Sequence, residues 1–274
     1  MNIAPRLEMH NKDKDIRYPC YVEVKYDGEF CVYTKGKLIN KYGRVRKDIP
    51  ITRRLHELFG NSILYGELLG TDGQAGDIYK LNSDKANPSH YVVFDVVKTS
   101  TGVDMMNTKY EDRREILSEI AERMQVQAEP NSDGDCVVII GGILCTDGQQ
   151  LWREYQTITR AGYEGVVCKP ANSILRRQPL SWVKIKTKAT ADLMVQLIDP
   201  NRERIEVTYD VFNGSNFKSN HTLGVKCSNK QKAELKQGDI VEIEYQSVLE
   251  GGSLRHPVYK RKRDDKTIGD NITL

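Results

Sequence analysis

The chain has 274 residues, with 41 Lys and Arg against 38 Asp and Glu, for a formal net charge of +3. At 39% hydrophobic and 29% charged it is too apolar for a disordered chain, and its length suits one large domain or two unequal ones. The longest apolar run, Cys136 to Cys145, is ten residues with two glycines, well short of the ~18 a membrane helix needs. The stretch from Met1 to Asp15 lacks the apolar core of an export signal, so no export is expected. Six cysteines, at positions 20, 31, 136, 145, 168 and 227, show neither a C-x-x-C pair nor zinc-like spacing. The expected setting is a reducing cytoplasm.

Tyr21 to Val24 alternates as a strand, Lys25 to Gly28 has turn chemistry, and Phe30 to Tyr33 resumes a strand. A second turn, Thr34 to Lys37, leads into Leu38 and Ile39, so two successive antiparallel hairpins are expected. Pro50 to Phe59 reads as a short helix stopped by Gly60, and Tyr91 to Val97 as a strand buried on both faces. Ile116, Leu117, Ile120 and Met124 fall at helical spacing within Asp112 to Val126. Trp152 to Ala161 predicts another helix, with Gly162 as its stop. Strands return at Gly165 to Lys169 and Trp182 to Lys186, and Thr187 to Thr190 reads as a boundary. Beyond it, strands are expected near Leu193–Ile198, Ile205–Phe212, Ile240–Tyr245 and Val258–Arg263, with a short helix at Asn229–Leu235. Five or so strands and one helix suit a small barrel of the OB type.

Several short patterns carry chemistry. Lys25-Tyr26-Asp27-Gly28 matches K-x-D-G, which alone is a tight turn with an exposed lysine. Glu67 is the one carboxylate on the apolar strand Tyr65 to Gly70, and Phe94-Asp95 ends another apolar strand. Glu164 stands at the start of the strand running to Lys169, and Lys184 and Lys186 share one strand face. From Leu254 to Lys266 six basic residues face two acidic ones, which by itself describes a solvated face. A lysine amine is a nucleophile only when deprotonated, and neighbouring cations such as Lys184 and Lys186 favour that form. Glu67 and Glu164 offer hard carboxylate oxygens of the type that binds Mg²⁺.

Taken in order, these motifs resemble the covalent nucleotidyltransferases, and most closely the ATP-dependent DNA ligases, from about Tyr21 to Lys266. The resemblance implies an α+β fold: an antiparallel-sheet nucleotidyltransferase (adenylation) domain at residues 1–188, then an OB-fold β-barrel at 189–274. It implies that Lys25 is the nucleophile that becomes AMP-lysine and that Glu23 contacts the adenine amino group. Glu67 resembles the ribose or metal contact, Phe94 the ring stacked on adenine, and Glu164 the metal-linked acid. Lys184 and Lys186 resemble the α-phosphate ligands, and Arg263, Asp265 and Lys266 the R-x-D-K motif that handles the leaving pyrophosphate. ATP and Mg²⁺ (or Mn²⁺) are the implied cofactors. The implied activity is sealing of 3′-OH/5′-phosphate nicks in duplex DNA by a monomer in the cytoplasm, or the host cytoplasm for a viral chain.

One position departs from the family pattern. The usual arginine five residues after the nucleophile is Phe30 here, and Lys41 or Arg44 are the candidates to take over its contact with nucleic acid. Only 24 residues precede Lys25, and Phe212 to Cys227 reads as an ordinary loop and strand rather than a DNA-clasping hairpin. The chain therefore resembles a minimal ligase of the viral or bacterial accessory kind. RNA ligation and GTP-dependent RNA capping are alternatives within the superfamily, although a complete R-x-D-K motif speaks against the usual RNA ligases. A non-catalytic nucleic-acid-binding protein is a further alternative; Phe30 supports it, and the intact Lys25, Glu67, Glu164, Lys184 and Lys186 oppose it.

Overall fold

The computed structural model describes residues 7–8, 16–46, 51–70, 90–124, 136–176, 180–212, 217–248 and 252–266. The chain forms two compact units, Met1–Lys186 and Thr187–Leu274. In the first, β1 (Leu7–Glu8), β2 (Cys20–Val24), β9 (Gly142–Cys145), β10 (Gly165–Pro170) and β11 (Leu180–Lys186) form a sheet in the order β1-β11-β10-β2-β9. A second sheet holds β3 (Glu29–Thr34), β4 (Lys37–Asn40), β5 (Val45–Arg46), β6 (Ile63–Leu69), β7 (His90–Lys98) and β8 (Cys136–Ile139), in the order β5-β4-β3-β6-β7-β8. Pairing is antiparallel except for β1 with β11 and β7 with β8.

The first expected hairpin does not form. β2 pairs with β9 and β10, whereas β3 pairs with β4 and β6. Lys25 to Gly28 is a crossover between sheets, because the Lys25 N–H is already bonded to the Gly165 carbonyl at 2.8 Å. The second hairpin does form, with Lys35 and Gly36 at φ 48° and 71°, the double positive φ of a two-residue turn. The apolar run Cys136–Cys145 likewise divides between sheets, as β8 and β9.

Helix α1 (Ile51–Phe59) and helix α2 (Tyr110–Met124) cover the larger sheet. Ile51, Leu55, Phe59 and Leu117 pack there against Cys31, Leu38, Leu64 and Val93. The α2 helix starts two residues before the expected Asp112, and its expected end at Val126 lies outside the described residues. Helix α3 (Gly148–Arg160) seats Leu151 against Cys20, Val166 and Val183 of the other sheet. It begins before Trp152 because Asp147 caps it, accepting from the N–H groups of Gln149 and Gln150. Among the described residues no helix is long and apolar enough to cross a membrane.

Between the sheets lies a fully buried ion pair, Asp95 with Arg113, at 2.7 Å to Nε and 2.8 Å to Nη2. Arg113 also donates to the Ser173 carbonyl at 3.2 Å. Asp95→Ala leaves that guanidinium charged and buried, so a loss of about 3–5 kcal/mol is expected in urea unfolding. A loss under ~1 kcal/mol would mean that water reaches Arg113 in the variant.

The second unit is a closed barrel of β12 (Ala189–Ile198), β13 (Arg204–Phe212), β14 (Phe217–Lys226), β15 (Ile240–Tyr245) and β16 (Val258–Lys262). Leu193, Val195, Ile205, Val207, Val225, Val241 and Ile243 fill it. The first strand starts at Ala189 rather than Leu193, since its outer end pairs fully with β15. The expected helix at Asn229–Leu235 is a single turn, α4 (Asn229–Lys232), opened by a Ser228–Gln231 capping box.

Candidate active site

A pocket of about 460 Å³ lies in the first unit, walled by both sheets. Glu23 and Lys25, two apart at the end of β2, both line it. Lys25 Nζ is ion-paired with Glu164 Oε2, and Lys186 Nζ lies 2.5 Å from the other oxygen of the same carboxylate. Glu164 is held there by Gly165, whose φ of 149° suits glycine and whose missing Cβ would strike the Ile185 carbonyl of β11. Lys184, two residues before Lys186 on β11, faces the pocket. Burial, then the charges of Lys25 and Lys186, hold its amine below the usual lysine range.

Glu67 enters from β6 and accepts the Gly28 N–H at 3.1 Å. Burial pushes its carboxyl up to about 7, with Lys25 and the Gly28 N–H opposing and Glu164 reinforcing the rise. Phe94 owes its position to a register shift: Tyr65 faces Asp95 while Gly66 faces Val93, leaving Phe94 as the extra residue of a bulge. The strand runs from His90 to Lys98, one residue beyond each end of the expected Tyr91 to Val97.

Lys169, which sequence reasoning left without a role, forms part of the pocket wall although only 2% of its surface is exposed. Its Nζ donates to the Phe94 carbonyl at 2.9 Å, pairs with Glu23 Oε2 at 2.6 Å, and stands 4.3 Å from the Trp182 ring centre. Burial pulls this amine down, and Glu23 and Asp95 oppose the fall. The Glu23 carboxylate is thus shared, Oε2 paired with the Lys169 ammonium and Oε1 accepting from the Tyr110 hydroxyl. The available signal was the strand alternation that puts Val167 and Lys169 on one face.

Phe30 extends the aromatic wall, 5.5 Å from the Tyr65 ring and 6.1 Å from that of Phe94. The turn after β4 brings Lys41, Tyr42 and Arg44 to the same pocket. Asn40 builds that turn: its Oδ1 accepts the N–H groups of Tyr42 and Arg44, each at 3.0 Å, and its Nδ2 donates to Glu29 at 3.0 Å. Thus Glu23, Lys25, Glu67, Phe94, Lys184, Lys41 and Arg44 all line one pocket, with Glu164 and Lys186 joined to it through ion pairs. Arg263 and Lys266 meet each other in the second unit, both on Asp192. Among the described residues no group of three or more His, Cys, Asp or Glu is arranged to hold a metal ion.

The profile of the ATP-dependent DNA ligase domain matches residues 8–186. The chain belongs to the ATP-dependent DNA ligase family. Its fold is shared with a Lig E DNA ligase, described as binding DNA with a minimal scaffold, at TM-score 0.66 and 14% identity over 95% of this chain and 100% of that one. The ligase domain of LigD from M. tuberculosis aligns at TM-score 0.55 and 17% identity, covering 98% and 97%. Chlorella virus DNA ligase-adenylate aligns at TM-score 0.53 and 18% identity, covering 96% and 99%. No curated protein matches the chain in sequence. The ligase is therefore an ATP-dependent enzyme acting on DNA, which sets aside the RNA-capping, RNA-ligase and non-catalytic alternatives.

Proposed function

We propose that the ligase seals 3′-OH/5′-phosphate nicks in duplex DNA through AMP-lysine at Lys25, acting as a monomer in the cytoplasm or a host's cytoplasm. The observation that carries this reading is the placement of the Lys25 amine at the pocket wall against Glu164, with Lys184 beside it. Residues 1–188 are then the adenylation domain and the barrel an OB-fold domain. Phe94 stacks on adenine, and Glu23, held by Lys169 and Tyr110, faces its amino group. In the first step Lys25 Nζ forms a bond to the α-phosphorus while the bond to pyrophosphate breaks. Lys184 and Lys186 bind the α-phosphate oxygens, where negative charge develops. AMP then passes to the nick 5′-phosphate with release of Lys25. Finally the 3′-hydroxyl attacks that phosphorus, forming the phosphodiester and releasing AMP.

The donor set fits a divalent cation. Glu67 and Glu164 are neighbouring carboxylates, and burial pushes the Glu67 carboxyl up to about 7 against the opposing charges of Lys25 and Lys184. Together with phosphate oxygens and water they would hold Mg²⁺ or Mn²⁺, which supplies charge neutralisation. Incubation with ATP labelled at the α-phosphate, then with nicked duplex, tests the scheme. Label should move from protein to DNA and leave as AMP on sealing, and a protein that takes no label overturns it.

At the pocket mouth, Arg44 and Lys41 take over the contact with the nick phosphate that Phe30 cannot make. A charged hydrogen bond to phosphate contributes about 1.5–3 kcal/mol, so Arg44→Ala should weaken sealing of nicked DNA roughly tenfold or more while adduct formation stays near wild type. Equal losses in both reactions would show that Arg44 only supports the turn.

A further inference from the structure

Arg263 and Lys266 share one carboxylate. Arg263 Nη1 donates to both oxygens of Asp192, at 2.9 and 2.8 Å, and Lys266 Nζ donates to Oδ2 at 2.7 Å. The other edge of the guanidinium, Nε and Nη2, is held by Asp265 at 2.8 and 2.7 Å. Asp192 lies on β12 beside the buried Leu193, so strand alternation turns it to the outside of the barrel. Directly across the β12–β15 pair stands Glu242, a second carboxylate. Like charges facing each other across a sheet are destabilising unless cations bridge them. Here Arg261 binds Glu242 at 2.8 Å and Arg263 reaches it at 3.8 Å. The barrel thus carries a charge arrangement that does nothing for its core and fixes two long cations in one place.

We infer that Asp192 is a positioning residue for the first chemical step, setting Arg263 and Lys266 at the spacing that meets adjacent oxygens of the departing diphosphate. This rests on the reading of Arg263 and Lys266 as pyrophosphate ligands. Both donate to Asp192 Oδ2, so their nitrogens stand no more than two hydrogen-bond lengths apart. Long cationic side chains surrender much rotamer freedom when they clamp a polyphosphate, and prior fixation removes part of that cost. Asp192 itself is an anion and is repelled by a polyphosphate; it acts through its two partners. Once Lys25 carries AMP the diphosphate has gone, so the effect is confined to one step.

The test compares Asp192→Ala, Asp192→Asn and Asp192→Glu in the full chain. Each is assayed for adduct formation over a range of ATP, for sealing of a pre-adenylated nick, and for thermal midpoint. Asp192→Ala and Asp192→Asn should slow adduct formation about tenfold at saturating ATP and leave pre-adenylated sealing unchanged, as expected for misplaced catalytic groups. Asp192→Glu should restore most of the rate. A lower KM for ATP with an unaltered maximal rate would overturn the inference, because Asp192 would then be a counter-charge that ATP displaces. Equal losses in both reactions, or midpoints that fall in all three variants, would also overturn it by showing a structural role alone. Arg263→Ala separates the inference from its foundation. Normal adduct formation in Arg263→Ala sinks the pyrophosphate reading, whereas a defect there with a normal Asp192→Ala sinks only the inference.

Discussion

Lys25→Ala yields a folded protein that forms no covalent AMP adduct. Lys25 is partly exposed, and its amine meets the Glu164 carboxylate and, at 3.3 Å, the Tyr26 carbonyl. Truncation removes no core atom, and Glu164 keeps Lys186 as a counter-ion. The stability change should therefore stay within about 1 kcal/mol. Chemistry is another matter, because phosphorus has lost its nucleophile. Lys169 and Lys184 both line the pocket with amines held below the lysine range, but Lys169 is tied to Glu23 and the Phe94 carbonyl, and part of the Lys184 depression comes from Lys25 itself. Removing Lys25 lets the Lys184 amine rise toward its ordinary value, so more of it is protonated at neutral pH and it becomes a poorer nucleophile. The adduct should fall at least about a thousandfold in a gel assay with α-labelled ATP. Wild-type adduct yield in this variant would move the nucleophile to another lysine.

The elements legible in the sequence were those with a local signal. Alternation marked β2, β3 and β11, and the Thr34–Lys37 turn marked the hairpin whose double positive φ the structure shows. The partners of β2 were not legible, because they lie more than a hundred residues away in β9 and β10 and no local pattern encodes them. For the same reason nothing local shows that the apolar run Cys136–Cys145 serves two sheets. At the site, residue types in order pointed to Lys25, Glu67, Phe94 and Glu164. What stayed hidden was pairing: Lys169 beneath Glu23, Asn40 under the Arg44 turn, and Asp192 beneath Arg263. Each of these joins residues through side-chain contacts rather than a motif. A lysine at a strand end, such as Lys169, is ordinarily solvated, and only its contacts with Glu23, Tyr110 and Trp182 reveal that it is buried.

Glu164→Gln should depress adduct formation about 10²–10³-fold with little loss of fold. The Glu164 side chain is only 3% exposed and divides its oxygens between two ammonium groups, Lys25 on Oε2 and Lys186 on Oε1. Glutamine keeps the shape but turns one terminus into a donor, which then faces an ammonium with no charge to balance either lysine. Two consequences follow at different levels. The lysines lose the anchor that sets their separation, which slows attack at any metal concentration. The site also loses one of its two candidate metal carboxylates, so the concentration of Mg²⁺ needed for half-maximal adduct formation should rise, and excess Mg²⁺ should recover part of the rate. A titration of Mg²⁺ against adduct yield reads both effects at once. A reduced plateau with an unshifted midpoint would leave Glu164 as a lysine anchor and remove it from the metal site. Normal turnover of Glu164→Gln at limiting Mg²⁺ would remove both roles, and with them the reason for placing the attacking amine against this carboxylate.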